Sequence, residues 1–209
     1  MAGITRIHIT DPFYEDRRTE LGEAGKTIAN RIYRKAMANQ NMPLEPGEEE
    51  IRCTRQEAAG RYDWSEGIDV ILRCLDGSRF TLQEKFLAPN KFPKTITIEE
   101  RKASGKPGAW YYCTAQLYFT AYYEDNNLEN FSEWMLASLE GIRRKAACGE
   151  LPYFTQSPTN PRRGGPFRCF RFRDMPPDIV IAQGNGKADT RDSIPVSSYA
   201  SVPAQGQLL

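Results

Sequence analysis

Three polar residues in two strand-like segments of the sequence have side chains that could bind a metal ion or stabilise charge. Asp69 lies within GIDVILRCL (67–75), and Gln83 and Lys85 lie within RFTLQEKF (79–86). Successive side chains of a strand point to opposite faces, so Gln83 and Lys85 share one face, and Asp69 points away from the apolar face of its own strand. The Asp-Gly-Ser turn between the segments predicts a hairpin that brings all three residues onto one sheet surface.

These residue types suit metal-assisted hydrolysis of a phosphodiester bond. Mg²⁺ or Mn²⁺ prefers oxygen ligands, which Asp69 and the amide of Gln83 offer, and keeps waters for substrate phosphate. A bound metal lowers the pKa of a water, and Lys85 would orient or deprotonate that water and stabilise the transition state. The alternative is a surface hairpin with solvated side chains. The cost of an unpaired carboxylate in an apolar strand favours a functional Asp69.

Two further acidic residues are candidates for the same site. Glu20 stands in the first turn of a predicted helix, near the edge of its apolar stripe, and is a candidate third metal ligand. The alternative for Glu20 is a favourable interaction with the helix dipole alone. Glu84 would replace Gln83 as the ligand if a bulge shifted the strand, whereas regular alternation favours Gln83.

The histidine count narrows the possible chemistry. Among 209 residues there is one histidine, His8, which removes hydrolases with several imidazole ligands and leaves carboxylates, lysine and a hard metal ion. The net charge is +1, so basic residues must be clustered if the chain binds nucleic acid. No apolar run is long enough to span a bilayer, and MAGITRIHIT lacks the layout of a signal peptide. We therefore expect a cytoplasmic protein.

Hydrophobic periodicity predicts one α/β domain over residues 1–183, with a mixed central sheet flanked by helices. Helical spacing predicts helices over about 20–39 and 128–147. Apolar or alternating runs predict strands beyond the hairpin, over 95–98, 109–123, 152–156, 166–173 and 178–183. Small, polar and aperiodic residues predict a flexible, disordered C-terminal tail over 184–209.

The GID run, the short hairpin and the QEK run together resemble the signature of the PD-(D/E)XK (restriction-endonuclease-like) nuclease superfamily. The likeness is to the D…QxK variant of this signature, in which glutamine replaces the acidic residue, as in Mrr-type enzymes. The later segments AQLYFTAYY and NFSEWML also resemble phage and bacterial members, and they make Gln116 a further candidate for facing the site. The resemblance covers roughly residues 20–145.

This resemblance implies a restriction-endonuclease-like αβββαβ core and a Mg²⁺- or Mn²⁺-dependent deoxyribonuclease. It implies that Asp69, Gln83 and Glu20 bind metal and that Lys85 is the catalytic lysine. DNA would be the partner, and a homodimer is a further expectation because many double-strand cutters of this superfamily pair two active sites. The alternatives are a catalytically inactive nucleic-acid-binding module of the same fold, and a structural or adaptor protein of a phage or mobile element.

Two basic segments are candidates for contacting nucleic acid. The loop RKASGKPG contributes Arg101, Lys102 and Lys106, and the stretch PRRGGPFRCFRFR contributes Arg162, Arg163, Arg168 and Arg171. Arginine suits phosphate binding, and interleaved aromatic residues can stack on unpaired bases. The alternatives are a solvated loop and an edge strand with its phenylalanines in the core and its arginines in water.

The C-terminal sequence AQGQLL resembles the short peptide that docks DNA-processing proteins onto bacterial sliding clamps. Gln205, Leu208 and Leu209 carry the likeness. A short peptide at a disordered end can order on binding, so a sliding clamp is a second candidate partner.

Overall fold

The structure, a computed structural model, describes residues 12–45, 67–89, 94–124, 128–158 and 165–185, with side chains from residue 20 onwards. Within these residues the helices are Pro12–Asn39 (α1), Ala109–Tyr112 (α2) and Leu139–Ala147 (α3). The strands are Val70–Arg73 (β1), Arg79–Leu87 (β2), Thr95–Glu99 (β3), Leu117–Tyr123 (β4), Phe131–Ser138 (β5), Phe154–Gln156 (β6), Phe167–Arg171 (β7) and Val180–Asn185 (β8). Turns of 3₁₀ helix cover Phe172–Asp174 and Pro177–Ile179.

The strands form two sheets. The larger sheet has the order β1-β2-β4-β5-β8, in which β2 and β4 are parallel and the other neighbours are antiparallel. The smaller sheet is antiparallel, with the order β3-β7-β6. The predicted α/β class with a mixed central sheet is therefore confirmed. None of the helices in the described segments combines the length and apolar character that crossing a bilayer requires.

The predicted hairpin forms as β1 and β2. Their register pairs Val70 with Leu82 and Arg73 with Arg79. In the turn, the Asp76 carboxylate accepts hydrogen bonds from the Ser78 hydroxyl and backbone N–H, at 2.6 and 2.9 Å. These bonds lower the pKa of Asp76. The turn thus fixes which residues of the two strands face each other.

The larger sheet separates two hydrophobic clusters. On one face it packs against α1, in a cluster that includes Ile32, Tyr33, Leu82, Phe119 and Leu136. The opposite face packs against the smaller sheet and the shorter helices, in a cluster that includes Ile96, Ile98, Trp110, Ile142 and Phe170. Any residue of β2 therefore faces either α1 or the smaller sheet, according to its parity along the strand.

A close approach of Gly25 in α1 to the ring of Phe86 in β2 sets the packing of this helix. A Cβ atom at Gly25 would lie 2.5–2.7 Å from the Phe86 ring.

We expect Gly25→Ala to destabilise the protein by about 1–3 kcal/mol because the helix must move away from the sheet. Gly22 in the same helix has open space around it. Gly22→Ala is the control and should stabilise by roughly 0.5–1 kcal/mol through helix propensity. Urea unfolding measures both, and shifts of the same sign would contradict this packing.

The predicted helix over 128–147 is wrong in its first half. Residues Phe131–Ser138 form β5, and the helix begins only at Leu139, where the Ser138 hydroxyl accepts the Gly141 N–H at 3.0 Å. β5 is buried on both faces, since Trp134 and Leu136 join the α1 cluster while Met135 and Ala137 join the other. A doubly buried strand has a continuous apolar run, which periodicity cannot distinguish from a buried helix.

Other predicted boundaries also change. The segment 109–123 is not one strand, since its first four residues form α2 and only β4 is extended. The first helix begins at Pro12 instead of residue 20. The predicted tail begins too early, because Gly184 and Asn185 belong to β8 and pair with β5. The remaining residues of that tail, with the predicted clamp peptide Gln205, Leu208 and Leu209, lie outside the described residues.

The strand that follows the hairpin departs from the three successive strands of one sheet that the αβββαβ core implies. β3 does not continue the larger sheet but pairs with β7 in the smaller one. The chain returns to the larger sheet only at β4, which is parallel to β2. The crossover between these parallel strands thus carries β3 and α2, and it lays β3 across the face that bears Gln83 and Lys85.

Candidate functional site

Asp69 and Gln83 are in contact at the open end of the β1–β2 hairpin. Asp69 directly precedes β1, and its N–H donates to the Leu82 carbonyl at 2.9 Å. Its carboxylate Oδ2 accepts the Glu84 backbone N–H at 2.7 Å and also the side-chain amide of Gln83. Both side chains are half-buried. The predicted proximity of these two residues is confirmed.

Lys85 lies two residues further along β2, on the same face as Gln83. Its Nζ donates to the Thr97 hydroxyl at 2.7 Å and to the Thr97 carbonyl at 3.2 Å. The ammonium also lies 5.1 Å from the centroid of the Phe167 ring. The lysine therefore sits at the joint between the two sheets, where its charge meets one backbone carbonyl, one hydroxyl and one aromatic face.

Tyrosines from β4 hold the outer edge of β3 against the larger sheet. The Tyr118 hydroxyl donates to the Thr97 carbonyl at 3.0 Å, and the Tyr122 hydroxyl donates to the Thr95 carbonyl at 3.0 Å. Burial raises the pKa of Tyr118, so its phenol stays protonated and remains a donor. Two side chains thus hold Thr97 in place, namely the Lys85 ammonium and the Tyr118 hydroxyl.

Glu84 points to the opposite face of β2. Its Oε1 accepts a hydrogen bond of 2.8 Å from the Tyr33 hydroxyl of α1. The β2 ladders with β1 and β4 run without a register shift. The alternative that a bulge brings the Glu84 carboxylate to Asp69 is therefore wrong, and Gln83 is the residue beside it.

Glu20 lies on the other side of the larger sheet from Gln83 and Lys85. It is an exposed residue of α1, which packs on the Glu84 face of the sheet. Next to it, the Leu21 carbonyl accepts the Tyr123 hydroxyl of β4. Across the described segments, no set of three or more acidic, cysteine or histidine side chains is arranged to hold a metal ion. The described contacts thus join Asp69 and Gln83, and the role of Glu20 as a third ligand stays a prediction.

Gln116 closes the start of the β2–β4 pair instead of facing the metal candidates. Its Oε1 accepts the Thr81 N–H at 3.0 Å, and its own N–H donates to the Thr81 hydroxyl at 3.1 Å. The Gln116 N–H also donates to the Thr81 carbonyl at 3.0 Å, so the side chain adds to the backbone pairing of the two segments at this end. We assign Gln116 a role in strand pairing.

Gly67 and Cys113 shape the segment that leads into Asp69, and no pattern in the sequence predicts this pairing. The Cys113 thiol lies 3.2 Å from the Gly67 carbonyl and donates to it. Burial raises the pKa of Cys113, so the thiol remains protonated. Gly67 has a φ of +65°, and a Cβ there would lie 3.0 Å from both the Cys113 sulfur and Gln83 Oε1. Glycine is therefore needed in the GID run for backbone conformation and for space.

The Gln83 amide presents its nitrogen to the Asp69 carboxylate, and its oxygen lies on the Gly67 side. The N–H group thus occupies the position that a cation shared by the two side chains would take. Turning the amide over about its last torsion would place Oε1 beside Asp69 Oδ2. One carboxylate and one amide oxygen would then form half of an oxygen-ligand site, with waters and substrate phosphate as the rest.

This arrangement predicts an opposite response of Gln83→Glu with and without a divalent ion. Without metal, a second carboxylate loses the hydrogen bond to Asp69 and repels it, so stability should fall by about 1–3 kcal/mol. With metal, the added carboxylate should bind, and saturation at ~100 times Kd would return about 2.7 kcal/mol. Thermal unfolding in EDTA and in Mn²⁺ measures both effects. Glu84→Gln is the control, whose stability change should not depend on metal. Equal metal responses of Gln83→Glu and wild type would exclude a shared ion.

Arg168 is occupied within the fold, contrary to its predicted contact with nucleic acid. Its guanidinium lies between the rings of Trp110 and Tyr153, 4.5 and 4.8 Å from their centroids. It also pairs with Glu100 at 2.6 Å. Burial opposes the charge of Arg168, whereas the bond to Glu100 favours it, and the net effect raises the pKa. This arginine therefore joins β7 to α2.

The other predicted nucleic-acid contacts are distributed over two surfaces. Arg101, Lys102 and Lys106 are exposed in the loop before α2, where the Lys102 ammonium lies 4.7 Å from the Tyr112 ring centroid. The Arg171 side chain is 43% exposed and lies over Phe154. Arg162 and Arg163 lie outside the described residues. Four of the predicted cations thus remain accessible to a ligand.

Comparison with known proteins gives no relative to place beside this geometry. No family model, no curated protein and no solved structure matches the chain. The chemistry of the site must therefore be argued from its own residues.

Proposed function

We propose that the chain is a metal-dependent nuclease that hydrolyses DNA phosphodiester bonds at Asp69, Gln83 and Lys85. The observation that carries the proposal is the contact between Asp69 and Gln83 across the hairpin, with Lys85 on the same face of β2. A half-buried carboxylate, a convertible amide and a lysine are the donor set that Mg²⁺ or Mn²⁺ catalysis requires.

Each side chain has a distinct task in this reaction. Asp69 supplies the negative charge for the divalent ion, and Gln83 supplies a neutral oxygen after its amide turns over. The ion, when bound, supplies an activated water and neutralises charge on the attacked phosphate. Lys85 places an ammonium beside the scissile phosphate, where it orients the water and stabilises the charge that develops in the transition state.

The finer assignment to a restriction-endonuclease-like fold is part of the same proposal. It is supported by the GID-hairpin-QEK order and by the parallel pairing of β2 with β4 after a crossover. The departure of β3 into the smaller sheet then represents an elaboration inserted into that crossover.

A second candidate function is an inactive nucleic-acid-binding module of the same fold. One observation favours it: the polar groups are satisfied among themselves. Lys85 donates to Thr97, and the Gln83 amide donates to Asp69. Such a set can stabilise the joint between the sheets without any ion.

Cleavage of single-stranded, duplex and branched DNA in Mg²⁺, Mn²⁺ or EDTA separates these candidates. The nuclease predicts cleavage in Mg²⁺ or Mn²⁺ and its loss in EDTA. Asp69→Asn protein, purified in parallel, controls for a contaminating nuclease. Binding without cleavage on every substrate would favour the inactive module. Absence of both binding and metal-dependent stabilisation would favour the structural or adaptor protein.

A further inference from the structure

One face of the smaller sheet continues directly from the candidate site. Cross-strand pairing places Thr97 beside Cys169, and Cys169 beside Phe154. Because Lys85 binds Thr97, a single row of neighbours leads from Lys85 across all three strands. We name this face the strand platform; its defining residues are Thr97, Phe154, Gln156, Phe167, Cys169 and Arg171.

The strand platform is the side of the smaller sheet opposite Ile96, Ile98 and Phe170. Its central residue, Cys169, is buried, and the residues around it are partly or fully exposed. On β7, Phe170 and Arg168 reach Trp110 on the inner side. Alternation along the strand then directs Phe167 and Arg171 to the other side. Phe154, at the far end of the row, is 42% exposed although it is a large apolar side chain. An exposed aromatic residue on a flat sheet is suited to stacking with a planar ligand.

A cation lies beside each aromatic ring of the strand platform, the exposed Phe154 and the half-buried Phe167. The Arg171 guanidinium lies 5.4 Å from the Phe154 ring centroid. At the other end, the Lys85 ammonium lies 5.1 Å from the Phe167 ring centroid. Two acidic residues adjoin this face. Glu99 pairs with Phe167 at the corner away from Arg171, and the Asp174 carboxylate lies 4.0 Å from the Arg171 guanidinium. Cations separated by aromatic rings match a ligand whose phosphates alternate with planar bases.

The dimensions of the sheet fit a short stretch of one nucleic-acid strand. Two strand spacings separate Thr97 from Phe154, which is about 10 Å. At a rise of ~3.4 Å per stacked nucleotide, this distance corresponds to about two or three nucleotides. The bases of a duplex face each other and cannot reach a side chain on a flat sheet, whereas unpaired bases can.

We propose that the strand platform binds single-stranded nucleic acid, with a base stacked on Phe154 and the backbone held between Arg171 and Lys85. The inference rests on the proposed function in one respect, namely that the bound strand ends at the Lys85 site. It adds to that function a substrate class: single strands, or duplexes with a single-stranded end.

Fluorescence anisotropy in EDTA, where no cleavage occurs, tests the proposal with a labelled single strand. A strand of about 12 nucleotides is suitable, because this length is within the usual site size for such surfaces. Phe154→Ala should weaken binding about 5- to 100-fold through the loss of one stacked base. Phe154→Trp should restore it. Arg171→Gln should lower the slope of log K against log salt by about 0.7, the value for one phosphate contact on a single strand.

Tyr111→Ala is the matched control, since Tyr111 is 56% exposed but lies in α2, on the opposite side of the smaller sheet. This variant should bind like wild type. Equal binding by Phe154→Ala and wild type would overturn the proposal, as would equal weakening by Tyr111→Ala or tighter binding of a hairpin duplex. Binding that depends on Phe154, with no cleavage of any substrate, would contradict the nuclease but not the strand platform. Cleavage, with binding that Phe154→Ala does not weaken, would contradict the strand platform but not the nuclease.

Discussion

Replacing Asp69 by asparagine should reduce metal-dependent cleavage by about 10²- to 10³-fold, the loss typical of removing one electrostatic contribution to a transition state. Asparagine removes the negative charge that the divalent ion needs. It retains an oxygen that can accept the Glu84 N–H, which Asp69 Oδ2 accepts at 2.7 Å. Single-turnover cleavage at saturating Mg²⁺ measures the rate, and thermal unfolding reports the fold.

Alanine at the same position is a less specific change. Asp69→Ala leaves the Glu84 N–H and the Gln83 amide without their acceptor, at a cost of about 1–3 kcal/mol. A loss of activity in Asp69→Ala alone would therefore report the hairpin as well as the chemistry. If Asp69→Asn cleaves at the wild-type rate, Asp69 is a structural residue that joins β1 to β2, and the proposed site is wrong.

Lys85→Met should lower the rate of cleavage by about 10²- to 10³-fold. Methionine matches the length of the lysine stem and can keep the contact with Phe167. It loses the ammonium and both bonds to Thr97. The Thr97 carbonyl still accepts the Tyr118 hydroxyl, so stability should fall by only about 1 kcal/mol. The cleavage rate and the free energy of unfolding, measured on the same preparation, separate a catalytic role of Lys85 from a structural one.

Thr97→Val is the matched control for this prediction. It removes the hydroxyl that accepts from Lys85 at 2.7 Å but keeps the ammonium in place through the carbonyl. We expect its cleavage rate to remain within a few-fold of wild type. If Thr97→Val loses as much activity as Lys85→Met, the two residues act together as a structural joint, and Lys85 has no separate role in the reaction.

The hairpin was predictable because its signals are local. The Asp-Gly-Ser turn sets the register, and strict alternation in RFTLQEKF decides which side chains share a face. The pairing of Asp69 with Gln83 follows from these two facts alone. The same alternation excludes Glu84, which the structure places against Tyr33.

The position of Glu20 could not be predicted, because it depends on which face of the sheet receives α1. That choice is made by tertiary packing, where the absence of a side chain at Gly25 admits the Phe86 ring. Helical periodicity identifies an apolar stripe but not the surface that it covers.

The strand conformation of β5 and the half-buried position of Arg168 could not be predicted for a related reason. An apolar run buried on both sides has no polar face to reveal its period, so the segment from Phe131 could be assigned to either structure. The residues next to Arg168 in the sequence do not show whether its guanidinium lies in water or between the rings of Trp110 and Tyr153. Long-range neighbours, and not the local pattern, decide both cases.

The pairing of β3 with β7 has a consequence for how the protein emerges from the ribosome. β3 follows the hairpin closely, but its partner strand is synthesised much later. Until β7 is available, β3 has no ladder to hold Thr97 against Lys85. A nascent chain can form the hairpin early, because its contacts are local, yet the surroundings of Lys85 must wait for long-range pairing. A partly synthesised chain can therefore hold Asp69 and Gln83 together while Lys85 still lacks its Thr97 partner. The proposed site is complete only after translation has passed the smaller sheet.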